Sequence, residues 1–123
     1  MQNSAEIENF NDTDEARKQL EAAWNVIFDL VNGFLSVHKK FGFELVAKHS
    51  NPSLEDLLLS LKTMNLIMDT LDSLGRFEGS EQRKLLNAKQ QIVWFELAVI
   101  SLNAGDKTEY LELVNRMDKQ VQF

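Results

Sequence analysis

The sequence predicts an all-α fold, an antiparallel four-helix bundle. Apolar residues recur at three- and four-residue spacing through most of the chain, and no strand-like alternation of useful length appears. The periodic segments are separated by short breaks marked with Gly or Pro, so successive helices are expected to run antiparallel. Hydrophobic residues make up 44% of 123 residues, enough for one domain with a core of its own.

Residues 1–12 read as a flexible acidic tail and 13–123 as a single helical-bundle domain. Met1 to Asn11 is polar and aperiodic, with Ile7 and Phe10 its large apolar residues after Met1. The first helix is expected over about 13–40. Asp12 with Glu15 resembles a capping box, and early acids suit the positive end of the helix dipole. Leu20, Trp24, Ile27, Val31, Phe34, His38 and Phe41 form its seam. Lys39 and Lys40 in the last turn and Gly42 beyond mark its end. Gly33 inside it costs about 1 kcal/mol relative to Ala. Phe43 to His49 can add a short extra helix of one or two turns.

Asn51 and Pro52 then open a second helix over about 52–74, with Asn51 as cap and Pro52 at the first helical position. Its seam is Leu54, Leu57, Leu61, Met64, Met68 and Leu71, and Gly75 ends it. Ser80 is the expected cap of a third helix over about 80–103, stopped by Gly105. Its seam is Leu85, Ala88, Ile92, Phe95, Val99 and Leu102, with a second stripe of Leu86, Val93, Leu97 and Ile100. Together these cover more than half the circumference, so the third helix is expected to be the most buried. Asp106 with Glu109 is a capping box for a fourth helix over about 106–120. It buries Tyr110, Leu113, Val114, Met117 and Val121, and carries an exposed Glu112–Arg116 pair.

Nineteen acids against 13 bases give a formal charge of −6. Five of those acids (Glu6, Glu8, Asp12, Asp14, Glu15) fall in the first 15 residues with no base, leaving 14 against 13, a charge of −1, for the rest. The net negative charge argues against direct nucleic-acid binding, which runs on Lys and Arg neutralising phosphates. The absence of Cys excludes a disulfide framework, a zinc ribbon and a thiol nucleophile. No signal-peptide pattern and no uninterrupted run of 18 apolar residues appears, so a cytoplasmic protein that does not enter a membrane is expected.

Catalytic and cofactor motifs are absent. HExxH, GxxxxGK followed by Ser or Thr, GxSxG and ExxH do not occur. No catalytic residue, cofactor or metal is therefore expected. His38 sits in the first seam, where a ligand or general base is conceivable. No Asp, Glu or Cys at matching spacing accompanies it, so it reads as a core or end-of-helix histidine. Asn11-Asp12-Thr13 fits the glycosylation pattern, which matters only in a secreted chain.

In a chain built of amphipathic helices, large apolar residues off the core face carry the information. Trp94 falls opposite the third seam, beside Gln90; it is either an interface anchor or is covered by a neighbouring helix. Leu59 and Leu66 lie away from the second seam, with Ile67 and Leu74 widening their stripe. The first helix, about 42 Å at 1.5 Å per residue, outruns the fourth. Its far end, with Phe41, Phe43, Leu45 and Val46, either folds back as a cap or opens a groove for a partner helix.

The expected function is a small non-catalytic protein–protein interaction module of chaperone, adaptor or inhibitor type. It binds another protein, or itself as a homodimer, through Trp94, Gln90, Leu59, Leu66, Phe41 and Phe43. An alternative is a phage or mobile-element inhibitor that blocks a host nucleic-acid-binding protein as an acidic mimic, against which the near-neutral body weighs. The stretch Leu85 to Met117, with its Leu102-Asn103-x-x-Asp106 turn between two helices, resembles flagellar export chaperones of the FliS type, as do the size, acidity and helix order. That resemblance implies an export-chaperone role. The Tyr-containing N-terminal segment of that family has no counterpart here, and no residue role is carried over.

Overall fold

Four α-helices and no strand make up the described residues: α1 (Ser4–His49), α2 (Asn51–Leu74), α3 (Gly79–Asn103) and α4 (Lys107–Val121). The computed structural model describes residues 4–49, 51–74 and 77–121, with side chains over 14–48, 53–73 and 77–120.

The helices run up-down-up-down. Lys62 pairs with Glu96 and Lys89 with Asp69, so α2 and α3 are antiparallel; Arg17–Glu81 and Lys84–Glu21 set α1 and α3 parallel. α1 and α3 pack along the short diagonal of a diamond, with α2 on one side and α4 on the other, and α2 and α4 do not touch. The core fills both triangles. Leu20, Ile27, Val31 and Phe34 of α1 meet Leu61 and Met68 of α2, Leu85, Ile92 and Phe95 of α3, and Tyr110, Leu113 and Met117 of α4. Ridge-forming residues at three- and four-residue spacing on each helix allow this interlocking.

Polar contacts seat α4 on α3. Gln91, fully buried, donates from Nε2 to the Met117 carbonyl (3.1 Å) and to Gln120 Oε1 (3.1 Å), while Gln120 Nε2 reaches Asn87 Oδ1 (3.2 Å). A buried amide left unbonded would cost about 1–3 kcal/mol, so these bonds favour one register of α4 on α3.

The α3–α4 turn follows from Gly105 and Asp106. Gly105 takes φ 73, and the Asp106 and Gly105 N–H groups bond the Ser101 (2.8 Å) and Leu102 (3.1 Å) carbonyls, a Schellman motif. Asp106 Oδ1 then accepts the Glu109 N–H at 3.1 Å, capping α4 as the sequence predicts. The Arg116–Glu112 pair also forms, at 2.6 Å.

Two expectations change and one holds. Helix α1 begins at Ser4 rather than near Thr13, so Asp12 lies within it and not at a cap. No Gly or Pro interrupts the chain before Gly33, and Ala and Glu favour helix over that stretch. Helix α1 also continues past residue 40 through a break at Gly42 (φ 81, ψ 174), beyond which 43–49 forms the expected extra turns. Helix α3 starts at Gly79 after an extended Glu78 that makes no side-chain cap bond, so Ser80 lies inside the helix. Gly75 and the side chains of Asn51, Pro52, Leu74 and Val121 lie outside the described residues.

Helix α1 is the one described helix with a stretch long and apolar enough to cross a membrane by length and composition alone. Its apolar face is the shared wall of the core, which accounts for that composition.

Candidate functional site

The third helix does not bury its second apolar stripe. Leu86, Val93, Leu97 and Ile100 remain 43–56% exposed. The side of α3 that α4 covers holds Gln91, Ala98 and Ser101 instead, all buried. Small side chains at 98 and 101 let the α4 backbone approach closely, and Gln91 supplies the anchoring bonds. Stripe width alone misses this, because it weighs hydrophobicity and ignores how closely two backbones can pack.

Leu59 and Leu66 of α2 are 66% and 67% exposed. Leu59 and Ile100 line one shallow groove between α2 and α3, together with Leu58, Lys62, Glu96 and Val99. The ion pairs Lys62–Glu96 (3.0 Å) and Lys89–Asp69 cross the same seam. At 100° per residue, Leu59 and Leu66 stand on the outer side of Lys62 and Asp69, and Val93, Leu97 and Ile100 on the outer side of Lys89 and Glu96. The outer face of α2 and α3 is thus two apolar ridges flanking a row of alternating charges.

The far end of α1 closes rather than opens. Beyond Gly42, Val46 is buried and Phe43 packs edge-on to Tyr110, centroids 5.3 Å apart. Glu44 bonds Lys107 at 2.9 Å. His38 Nδ1 and the Tyr110 hydroxyl share a 3.0 Å hydrogen bond, beside the Lys39–Asp118 pair at 2.9 Å. Burial, followed by the charge of Lys39, lowers the His38 pKa, against a smaller opposing pull from Asp118. Burial raises the Tyr110 phenol well above its ordinary value. The pair is therefore neutral near pH 7. Among the described residues, no cluster of three or more His, Cys, Asp or Glu is arranged to hold a metal.

A second apolar groove runs between α1 and α2, lined by Leu30, Gly33, Phe34, Val37, Leu54 and Leu57 with Asp29 and Ser53 at its edge. Gly33 faces open space: a Cβ there would meet nothing within 4 Å.

The six residues singled out from the sequence fall in three places. Leu59 and Leu66 both stand on the outer side of α2, Leu59 lining the α2/α3 groove and Leu66 the rim of a groove that Ile67 and Leu71 form with Gln19 of α1. Trp94 is half-buried against the core and shares the α4-covered side of α3 with Gln91, Ala98 and Ser101, while Gln90 accepts a bond from Gln120 (3.3 Å) at the edge of that junction. Phe41 is exposed and Phe43 is half-buried at the α1 end. The sequence predicts Leu86, Val93, Leu97 and Ile100 to add to the buried side of α3, whereas they form the larger ridge of the exposed face. Helical periodicity puts them on one stripe; only the position of α4 reveals that the stripe is uncovered.

No family model, no curated protein and no solved structure matches this chain.

Proposed function

We propose that this chain is a small non-catalytic protein-interaction module of the cytoplasm, and that the outer face of α2 and α3 is its recognition surface. The supporting observation is six large apolar side chains, Leu59, Leu66, Leu86, Val93, Leu97 and Ile100, exposed along one side of two adjacent helices. Apolar side chains left exposed in this number on adjacent helices point to a partner site, because keeping them in water forfeits about 25 cal/mol per Å².

Ion pairing favours this apolar reading over acidic mimicry. Glu21, Glu44, Asp69, Glu81, Glu96, Glu112 and Asp118 each pair with a Lys or Arg of the chain itself, which neutralises that part of the acidic surface.

The test is capture from an extract of the source organism by immobilised full chain. Leu66→Asp with Leu97→Asp should abolish capture and any self-association. Val26→Asp, at an exposed apolar site on α1, should leave both intact, with all variants folded by circular dichroism. Equal retention by all three proteins would remove the α2/α3 face as the recognition surface.

A further inference from the structure

Taking that face as the recognition surface, we propose that its occupant is a second copy of this chain, packed face to face about a two-fold axis in the plane of the face. The signs of the charges along the α2/α3 seam carry this. Helix α2 presents Lys62 and then Asp69, and α3 presents Glu96 and then Lys89 beside them. Along each helix the two charges are two turns apart, about 10 Å, while across the seam the paired groups close to 3.0 Å (Lys62–Glu96) and 2.5 Å (Lys89–Asp69). The four charged groups therefore stand at the corners of a narrow rectangle, two oppositely oriented ion pairs, with signs alternating around it.

Such a rectangle is complementary to itself. A two-fold axis along the helices lays α2 on the partner's α3, so that Lys62 faces Glu96 and Asp69 faces Lys89. A two-fold axis across the helices lays α2 on α2, so that Lys62 faces Asp69, and Glu96 faces Lys89 where α3 lies on α3. Either operation brings opposite signs together at every corner. A uniformly acidic or basic partner would meet like charge at two corners, which electrostatic complementarity disfavours. An isologous dimer needs one patch that matches itself, and this pattern provides it.

Size and net charge agree with that occupant. Helices α2 and α3 have 24 and 25 residues, so the face is roughly 36 Å long and, for two helices side by side, about 20 Å wide. That footprint of about 700 Å² is close to the ~800 Å² per partner of a standard specific interface. The formal charge of −6 would oppose self-association if spread evenly, but the chain after residue 15 carries only −1.

The experiment is sedimentation equilibrium on the full chain between about 1 and 100 µM. Wild type should rise from 14.1 kDa towards twice that mass with concentration. Lys62→Glu with Lys89→Glu makes the four positions wholly acidic, and Asp69→Lys with Glu96→Lys makes them wholly basic. Each double variant alone should self-associate at least tenfold more weakly, and an equimolar mixture of the two should recover the dimer. A wild type that stays at 14.1 kDa throughout overturns the second copy as occupant, and folded variants that dimerise as wild type does overturn this charged face as the place where the copies meet. If wild type is monomeric while Leu66→Asp with Leu97→Asp abolishes capture of another protein, self-association fails and the recognition face stands. If capture is also unaffected, both fail.

Discussion

At the residue scale, His38 and Gly42 make the clearest statements. His38 is held neutral by burial and by Lys39, so its pKa in the folded chain lies below the ordinary 6.5. As pH falls, the unfolded chain takes up the proton first. Stability from this site is complete above about pH 6.5 and is lost as pH falls through the folded value. Urea midpoints of wild type should therefore fall between pH 7.5 and 5. His38→Gln, which keeps a polar partner for the Tyr110 hydroxyl, should flatten that slope; an equal slope in both proteins would assign the pH dependence to other groups. Gly42 has φ 81 and ψ 174, a region open essentially to glycine, although a Cβ there would meet no neighbour within 4 Å. The cost of Gly42→Ala is thus backbone strain, about 1–3 kcal/mol. Chemical denaturation should show that loss, together with weakened packing of Phe43 and Val46. An unchanged midpoint would mean that the 43–49 turns contribute nothing to stability.

At the element scale, helix caps and glycines set what can be tuned. Gly33 lies within a regular part of α1 and faces the open α1/α2 groove. Gly33→Ala should stabilise by up to about 1 kcal/mol and raise Tm by roughly 4 °C, seen in a thermal melt. A fall in Tm would show that the groove is tighter than its geometry. Most of the elements were legible in the sequence. The Gly42 break, the Asp106 cap, the Gly105 stop and the seams of α2 and α4 follow from local rules that act within one turn. The start of α1 was not legible, because Asp12 and Glu15 satisfy a cap pattern equally well inside a helix. The face of α3 that meets α4 was also hidden. Nothing local distinguishes Gln91, Ala98 and Ser101 as a buried side from Leu86, Val93, Leu97 and Ile100 as an exposed one. That choice is made by how closely α4 can pack and by the Gln91 bond to the Met117 carbonyl, both tertiary facts.

At the scale of the whole molecule, the diamond arrangement explains why an apolar face remains. With α1 and α3 on the short diagonal and α2 and α4 apart, α3 is flanked on two sides and open on the outer one. The sequence places its leucines, valine and isoleucine on that open side, next to Leu59 and Leu66. The candidate site was therefore half legible: the two α2 leucines stand out as surplus, while the α3 ridge becomes surplus only once the neighbours of α3 are known. The most direct measurement is carbene footprinting of the full chain, free and with its partner bound, whether that partner is a second copy or another protein. An α2/α3 recognition face predicts protection of Leu59, Leu66, Val93, Leu97 and Ile100 on binding, with Val26 and Val37 still labelled. Protection at Leu30, Val37 and Leu57, with the α2/α3 leucines labelled as in the free chain, would contradict it.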